Sequence, residues 1–203
     1  GGKIERKMDK TLSYFSYICY LHKNNVLKEK EFDFFKYEIK RILINNQIQN
    51  YFYNLYHFAK NPKIGPIAGW PPHESIEDSL NIIKSVFSKK ETYAVVKDGI
   101  PIGCVGLLFH PDTNHWWGDD SAELGYWIAE EYWGNGYAVE ASKVLIQRAF
   151  DELNVKEIYA TYRCENSQSK RVLEKLGFKY HADLTNVNYL NESFNEVAMK
   201  LEK

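Results

Sequence analysis

Cysteine is scarce in this sequence. Cys19, Cys104 and Cys164 make an odd number, and none has a partner at the spacing of a metal site. That excludes a disulfide framework and a cysteine-based zinc centre, and it predicts a reduced, cytoplasmic protein. Neither sign of charge is in excess: 26 Lys and Arg stand against 27 Asp and Glu, with no long basic run. Bulk charge therefore argues against nucleic acid or a membrane surface as a partner. The apolar stretch LSYFSYICYL (12–21) is too short to span a bilayer, which needs about 20 residues. No signal peptide, repeat or low-complexity tract stands out.

What is present suits one domain, with or without an appendage: 203 residues, 44% hydrophobic and 15% aromatic. Charge is unevenly spread. Residues 1–60 hold 11 basic and 6 acidic side chains; the rest hold 15 and 21. Residues 8–36 are aromatic-rich and read as helical, with a break near HKNNV (22–26). IKRILI (39–44) reads as a strand or the end of a helix. Gln47–Lys60 reads as a helix with Ile48, Phe52, Leu55 and Ala59 on one stripe, and Asn61-Pro62 ends it. GPIAGWPP (65–72) reads as loop because of its glycines and prolines. His73–Lys90 carries a second helix, with Ile76, Leu80, Ile83 and Phe87 aligned.

The period then changes. TYAVV (92–96) and IPIGCVGLLF (100–109) flank Lys97-Asp98-Gly99, a hairpin signal, because Asp and Gly tolerate positive φ. AELGYWIAE (122–130) is a further strand. A helix follows to about Phe150, with Ala138, Ala141, Leu145 and Ala149 facing inward. EIYATY (157–162) is a strand, Ser167–Leu176 a helix closed by Gly177, and 178–185 and 194–201 are two last strands. This order predicts an α/β fold, a mixed sheet with helices on both faces.

Between strand and helix lies EYWGNGYAVEA (131–141). A glycine turn opening a helix is an anion site, since the first N–H groups of a helix lack intrahelical partners and the helix dipole adds about half a positive charge. A dinucleotide fingerprint needs a third glycine where Val139 stands, and a phosphate loop needs Gly-Lys-Ser/Thr, which is absent. A pyrophosphate loop for an acyl-CoA remains, beside a tight turn with no ligand.

ELGYWIAEEYWGNGYAVEA (123–141), followed by NSQSKRVLEKLGF (166–178), resembles the GNAT family of acetyl-CoA-dependent N-acetyltransferases, in the branch of the ribosomal-protein N-terminal acetyltransferases. The resemblance covers about residues 39–203. It implies a GNAT-like domain at 37–203, with a central mixed sheet and a splayed-strand CoA notch, after a helical extension at 1–36. The family pattern Arg/Gln-x-x-Gly-x-Gly/Ala lands on Trp133, Gly134, Asn135, Gly136, Tyr137 and Ala138. Trp133 departs from Arg/Gln, which keeps the backbone donors and removes a charged contact.

The resemblance further implies acetyl-CoA as cosubstrate and no metal. The cofactor would lie between strands 122–130 and 157–162, with the backbone of Trp127 and Ile128 on its pantetheine and the amides of Asn135–Ala138 on its pyrophosphate. A primary amine, a protein N-terminus or a small molecule, would attack the thioester directly. Freeing an α-amine of its proton costs about 3.5 kcal/mol less than freeing a lysine, roughly 400-fold, so a weak base or a water relay suffices. Glu123 is the candidate base and a solvent-facing strand residue the alternative. The tyrosine with which many family members protonate the thiolate would fall at Leu173 and is missing. Ser169 is the candidate in its place, with helix capping as its alternative. Asn166 is expected to cap the helix and touch CoA. Cys104 and Cys164 read as inert thiols, and His110, Asp112 and His115 as a solvated loop.

On the acceptor side the candidates are Trp70, His73 and Glu74, with Trp116 and Trp117, since aromatics beside acids suit a cationic amine as well as ordinary packing. Residues 1–36 read as an added hairpin, a dimerisation arm for a homodimer, or a docking surface. FDFFKYEIKRILI (32–44) as one helix would leave the first strand missing. A catalytically weak acyl-CoA sensor acting through a protein partner is the second functional reading.

Overall fold

The computed structural model describes residues 46–68, 70–85, 89–189 and 192–203. The expected extension at 1–36, the strand or helix at 39–44, Cys19 and Phe87 lie outside them. In chain order the elements are α1 (Asn46–Ala59), α2 (Gly65–Ala68), α3 (Ile76–Ser85), β1 (Thr92–Lys97), β2 (Ile100–Leu108), β3 (Ser121–Ile128), a 3-10 turn (Glu130–Tyr132), α4 (Tyr137–Asp151), β4 (Glu157–Arg163), α5 (Ser167–Lys175), β5 (Lys179–Tyr189) and β6 (Glu192–Glu202).

The strands form one mixed sheet in the order β1-β2-β3-β4-β6-β5. Alternation sorts its two faces. Val105 and Leu107 of β2 and Ala122 and Leu124 of β3 pack with Leu145, Ile146 and Ala149 of α4 and Leu173 of α5. Ile102, of opposite parity on β2, is buried outside that cluster, as are Leu55, Phe58 and Ala59 of α1, which packs on β2. Helices thus cover both faces, as the order of elements predicts.

Asp98 (φ 51°) and Gly99 (φ 79°) turn the β1–β2 hairpin as expected. GPIAGWPP is not all loop: Gly65–Ala68 forms a turn of helix. Pro66 is tolerated because a first-turn residue needs no N–H. It is closed by the bond of the Ala68 N–H to the Ile64 carbonyl, 3.1 Å. α3 starts at Ile76 rather than His73. Ser75 and Asp78 cap each other's backbone N–H groups, at 3.1 and 2.8 Å. Ile76, expected on the inward stripe, is 44% exposed, and Ser79 is fully buried. In α4 the inward face centres on Ser142, Leu145, Ile146 and Ala149. Ala138 and Ala141 are only half-buried, since the first turns stand beside an opening in the sheet.

That opening comes from the register. β3 and β4 run parallel and pair only at Ser121–Glu157, Ala122–Ile158 and Glu123–Tyr159. Beyond them β3 continues to Ile128 on β2, and β4 to Arg163 on β6. The two strands part, leaving a notch between 124–128 and 160–163.

Candidate active site

The glycine loop closes the open end of this notch. Gly134 (φ 80°) and Gly136 (φ 83°) occupy the left-handed region, where a side chain is strained. A Cβ on either would meet nothing within 4 Å, so the loop presents open backbone. Gly136 is the N-cap of the 15-residue α4 and supplies no side-chain cap, so no cap side chain bonds the first amides of the helix. Asn135 folds back onto the Tyr132 and Trp133 carbonyls, both at 3.1 Å. The indole N–H of Trp133 donates to the Ile128 carbonyl at 2.6 Å. Trp133 therefore ties the loop to the strand end, and one of the two backbone groups of Ile128 is already engaged.

On the helix α4 and α5 side, Asn166 caps α5 by accepting from the Ser169 N–H at 3.0 Å. Ser169 also meets Tyr126, which reaches across from β3: its hydroxyl lies 2.8 Å from Ser169 Oγ and 3.3 Å from the Ser169 carbonyl oxygen. Burial pushes the Tyr126 hydroxyl up to about 12, with the Ser169 bond opposing it. Leu173 is fully buried in the core. Cys164 is exposed and Cys104 buried.

The opposite face holds the acceptor-side residues. Gly125 sits at the centre of the sheet with nothing within 4 Å of where its Cβ would be. One wall beside it is aromatic: Trp127 of β3 meets Trp70 edge-on at 5.9 Å, and Trp70 lies 5.2 Å from His73. His73 is buried, with Nδ1 2.8 Å from the Ser79 hydroxyl. Burial lowers its pKa and favours the neutral ring, partly offset by the charge of Asp78. Glu74 contributes backbone: its N–H donates to Asp78 and its carbonyl accepts from Tyr56.

The other wall is the segment between β2 and β3. Glu123 is 3% exposed and accepts three hydrogen bonds, from the Asn114 N–H (3.0 Å), Asn114 Nδ2 (2.6 Å) and Trp117 Nε1 (2.9 Å). Trp117 stacks on Tyr159, 4.5 Å and 5° apart. His115 Nε2 lies 3.2 Å from Glu196 Oε2. That hydrogen bond, against burial and aided by the charges of Glu123 and Glu196, raises the His115 pKa. Trp116 is 69% exposed. Asp112 pairs with Lys89 at 3.0 Å, and among the described residues no group of three His, Cys, Asp or Glu is placed to hold a metal.

The notch thus gathers Trp127, Ile128, the 133–138 loop, Asn166 and Ser169 around one opening, with Glu123, Trp70 and His73 on its far face. Sequence reasoning missed Asn114, Tyr126, Tyr159 and Glu196. Tyr126 alternates with Leu124 and Ile128 and looks like core. Asn114 and Glu196 meet Glu123 and His115 only through folding.

The acetyltransferase (GNAT) domain matches residues 43–179, more than half of the chain, and the chain belongs to that family. Its relatives include an uncharacterized N-acetyltransferase, YoaA, of Bacillus subtilis, 28% identical over 64% of this chain and 75% of that one. Spermidine N(1)-acetyltransferase of Escherichia coli is 28% identical over 61% and 64% of the two chains. Among solved structures, a GNAT acetyltransferase from Bacillus anthracis superposes with a TM-score of 0.64 at 19% identity, covering 74% and 88%. Ribosomal-protein-S5-alanine acetyltransferase from Vibrio fischeri does so with 0.56 at 20%, covering 74% and 87%. The microcin C7 self-immunity acetyltransferase MccE, in complex with acetyl-CoA and AMP, gives 0.63 at 22%, covering 75% and 87%. These likenesses agree with the expected fold and family. Among the described residues no helix is long and apolar enough to cross a membrane.

Proposed function

We propose that the protein transfers the acetyl group of acetyl-CoA directly to a primary amine. The observation that carries this reading is the parting of β3 and β4 beside an uncapped helix N-terminus behind two positive-φ glycines. The α4 amides would hold the pyrophosphate, and Trp127 and Ile128 the pantetheine. The acetyl group would then lie near Gly125, open to the far face. The family's cofactor supplies an activated thioester; the residues of this chain bind it and present the amine.

Glu123 acts as the base in this proposal. A carboxylate has about four acceptor positions, and three hydrogen bonds already reach this one. It can take one more proton donor, which suits an α-amine near neutral pH better than a lysine. A protein or peptide N-terminus is therefore the preferred acceptor. Spermidine is the small-molecule competitor, suggested by one relative's name. The burial of Leu173, which places no acid of its own at the notch, favours a second reading as a non-catalytic acyl-CoA sensor.

The test is calorimetric titration of acetyl-CoA and, separately, NAD, followed by thiol release with an Ala-terminated peptide, a Ser-terminated peptide and spermidine. We expect selective binding of acetyl-CoA and fastest release with a peptide. Gly136→Glu should abolish binding, because a carboxylate at φ 83° is both strained and placed against the anion site. Unchanged affinity in that variant would remove the loop assignment. Binding without thiol release would leave the sensor.

A further inference from the structure

We propose that Tyr126 is a positioning residue for acyl transfer: its hydroxyl orients the Ser169 hydroxyl so that the serine proton turns to the thioester sulfur as the C–S bond breaks. The inference rests on the acetyl-transfer reading above and extends it to a residue that the sequence did not single out.

The geometry gives the Tyr126 proton two destinations. Ser169 Oγ is 2.8 Å away and the Ser169 carbonyl oxygen 3.3 Å. In one arrangement Tyr126 donates to the carbonyl and accepts the serine proton. In the other it donates to Oγ, and the serine proton is free to point elsewhere. The Ser169 N–H is already satisfied by Asn166, so the first turn of α5 does not shift between the two. Without Tyr126, a serine in a helix turns its hydroxyl back on a carbonyl one turn earlier. Tyr126 offers a competing partner that releases the hydroxyl when a better acceptor appears.

A thiolate is that acceptor. The neutral amine forms the C–N bond, the tetrahedral intermediate collapses, the C–S bond breaks, and its electron pair stays on sulfur. The ammonium proton leaves through Glu123 or water. A thiol has a pKa of about 8.5, so the departing sulfur needs a hydrogen bond rather than a full proton, and neither Ser169 nor Tyr126 ionises. The high Tyr126 pKa agrees with a group that keeps its proton throughout. Because the swing follows charge that develops only on the way to products, its benefit belongs to kcat and not to cofactor binding.

The experiment compares Tyr126→Phe, Ser169→Ala and the double variant, using thiol release with the Ala-terminated peptide and spermidine, acetyl-CoA titration and thermal melts. Tyr126→Phe should lower kcat about tenfold, less than the 100-fold or more typical of a lost direct donor. The acetyl-CoA Kd should not move, and the pH profile of kcat should keep its shape. The double variant should be no slower than Ser169→Ala, since both changes remove one device. Multiplying losses, a wild-type kcat in Tyr126→Phe, or a loss confined to KM would overturn the inference while leaving acetyl transfer intact. If Tyr126→Phe does not fold, Tyr126→Met, which also lacks the hydroxyl, takes its place with the same expected loss of kcat; a wild-type kcat in that variant would overturn the inference. A wild-type chain that binds acetyl-CoA and releases no thiol with either amine would overturn both readings.

Discussion

Glu123 has two tasks that pull in different directions. Three donors fasten the segment before β3 to it, and the proposed chemistry asks it to accept a proton. Glu123→Gln separates them. The amide turns an N–H toward groups that are themselves donors, which costs about 1–3 kcal/mol for the unsatisfied contact. Removing the base should lower kcat/KM by about 100-fold. Melting and turnover measured on the same preparation give the answer: a variant that melts earlier yet turns over like wild type makes Glu123 an anchor only. Trp133 teaches the same lesson at this scale. Its indole spends its donor on the Ile128 carbonyl, so it ties the loop to the strand end beside the notch.

At the scale of elements, α4 is held to the start of β1 by one buried carboxylate. Glu91 is 3% exposed, and Arg148 reaches it through two nitrogens at 2.9 and 3.2 Å, while the Tyr93 hydroxyl donates at 2.9 Å. Burial opposes the charge of Glu91, but the Arg148 and Tyr93 hydrogen bonds and the Arg148 charge outweigh it, and its pKa is lowered. A carboxyl lowered by folding contributes stability above its unfolded pKa of about 4.3 and loses it as pH falls through the folded value. Melting temperature should therefore fall on acidification below about pH 5, and Glu91→Gln should flatten that limb. Asp78 and Glu130 are lowered as well, by Ser75 and by Lys63 with Asn61, so the difference between variant and wild type isolates Glu91. An identical limb in both would mean that the clamp is not ionised as drawn. Arg148→Met leaves Glu91 buried without its cation and should cost about 2 kcal/mol, less than a fully buried pair, because Arg148 is 35% exposed.

At the scale of the whole molecule, the family match begins at residue 43, and the six described strands, β1 to β6, pair into one sheet. A chain starting at residue 37 should stay soluble, keep its melting transition and bind acetyl-CoA with wild-type affinity by calorimetry. Aggregation or loss of binding would assign the first 36 residues to the catalytic domain. Much of the fold was legible along the chain because its signals are local. Asp98-Gly99 sets a hairpin, Gly177 with a φ of 91° ends α5, and the parity of ELGYWI sorts Leu124 and Ile128 from Gly125 and Trp127. Local rules also misled, at Gly65–Ala68, where a proline in a first turn did not forbid helix, and at Ile76, which opens α3 and is 44% exposed. The sequence by itself determined the order of elements from α3 to β6, the glycine turn before α4 and the cap at Asn166, since each depends on backbone torsions and bonds within a few residues. Only the tertiary structure decided that β3 and β4 part after three pairs, that Glu123 is ringed by Asn114 and Trp117, and that Tyr126 meets Ser169 across 43 residues. Those facts depend on how the strands are stacked in register, which sequence periodicity alone does not encode.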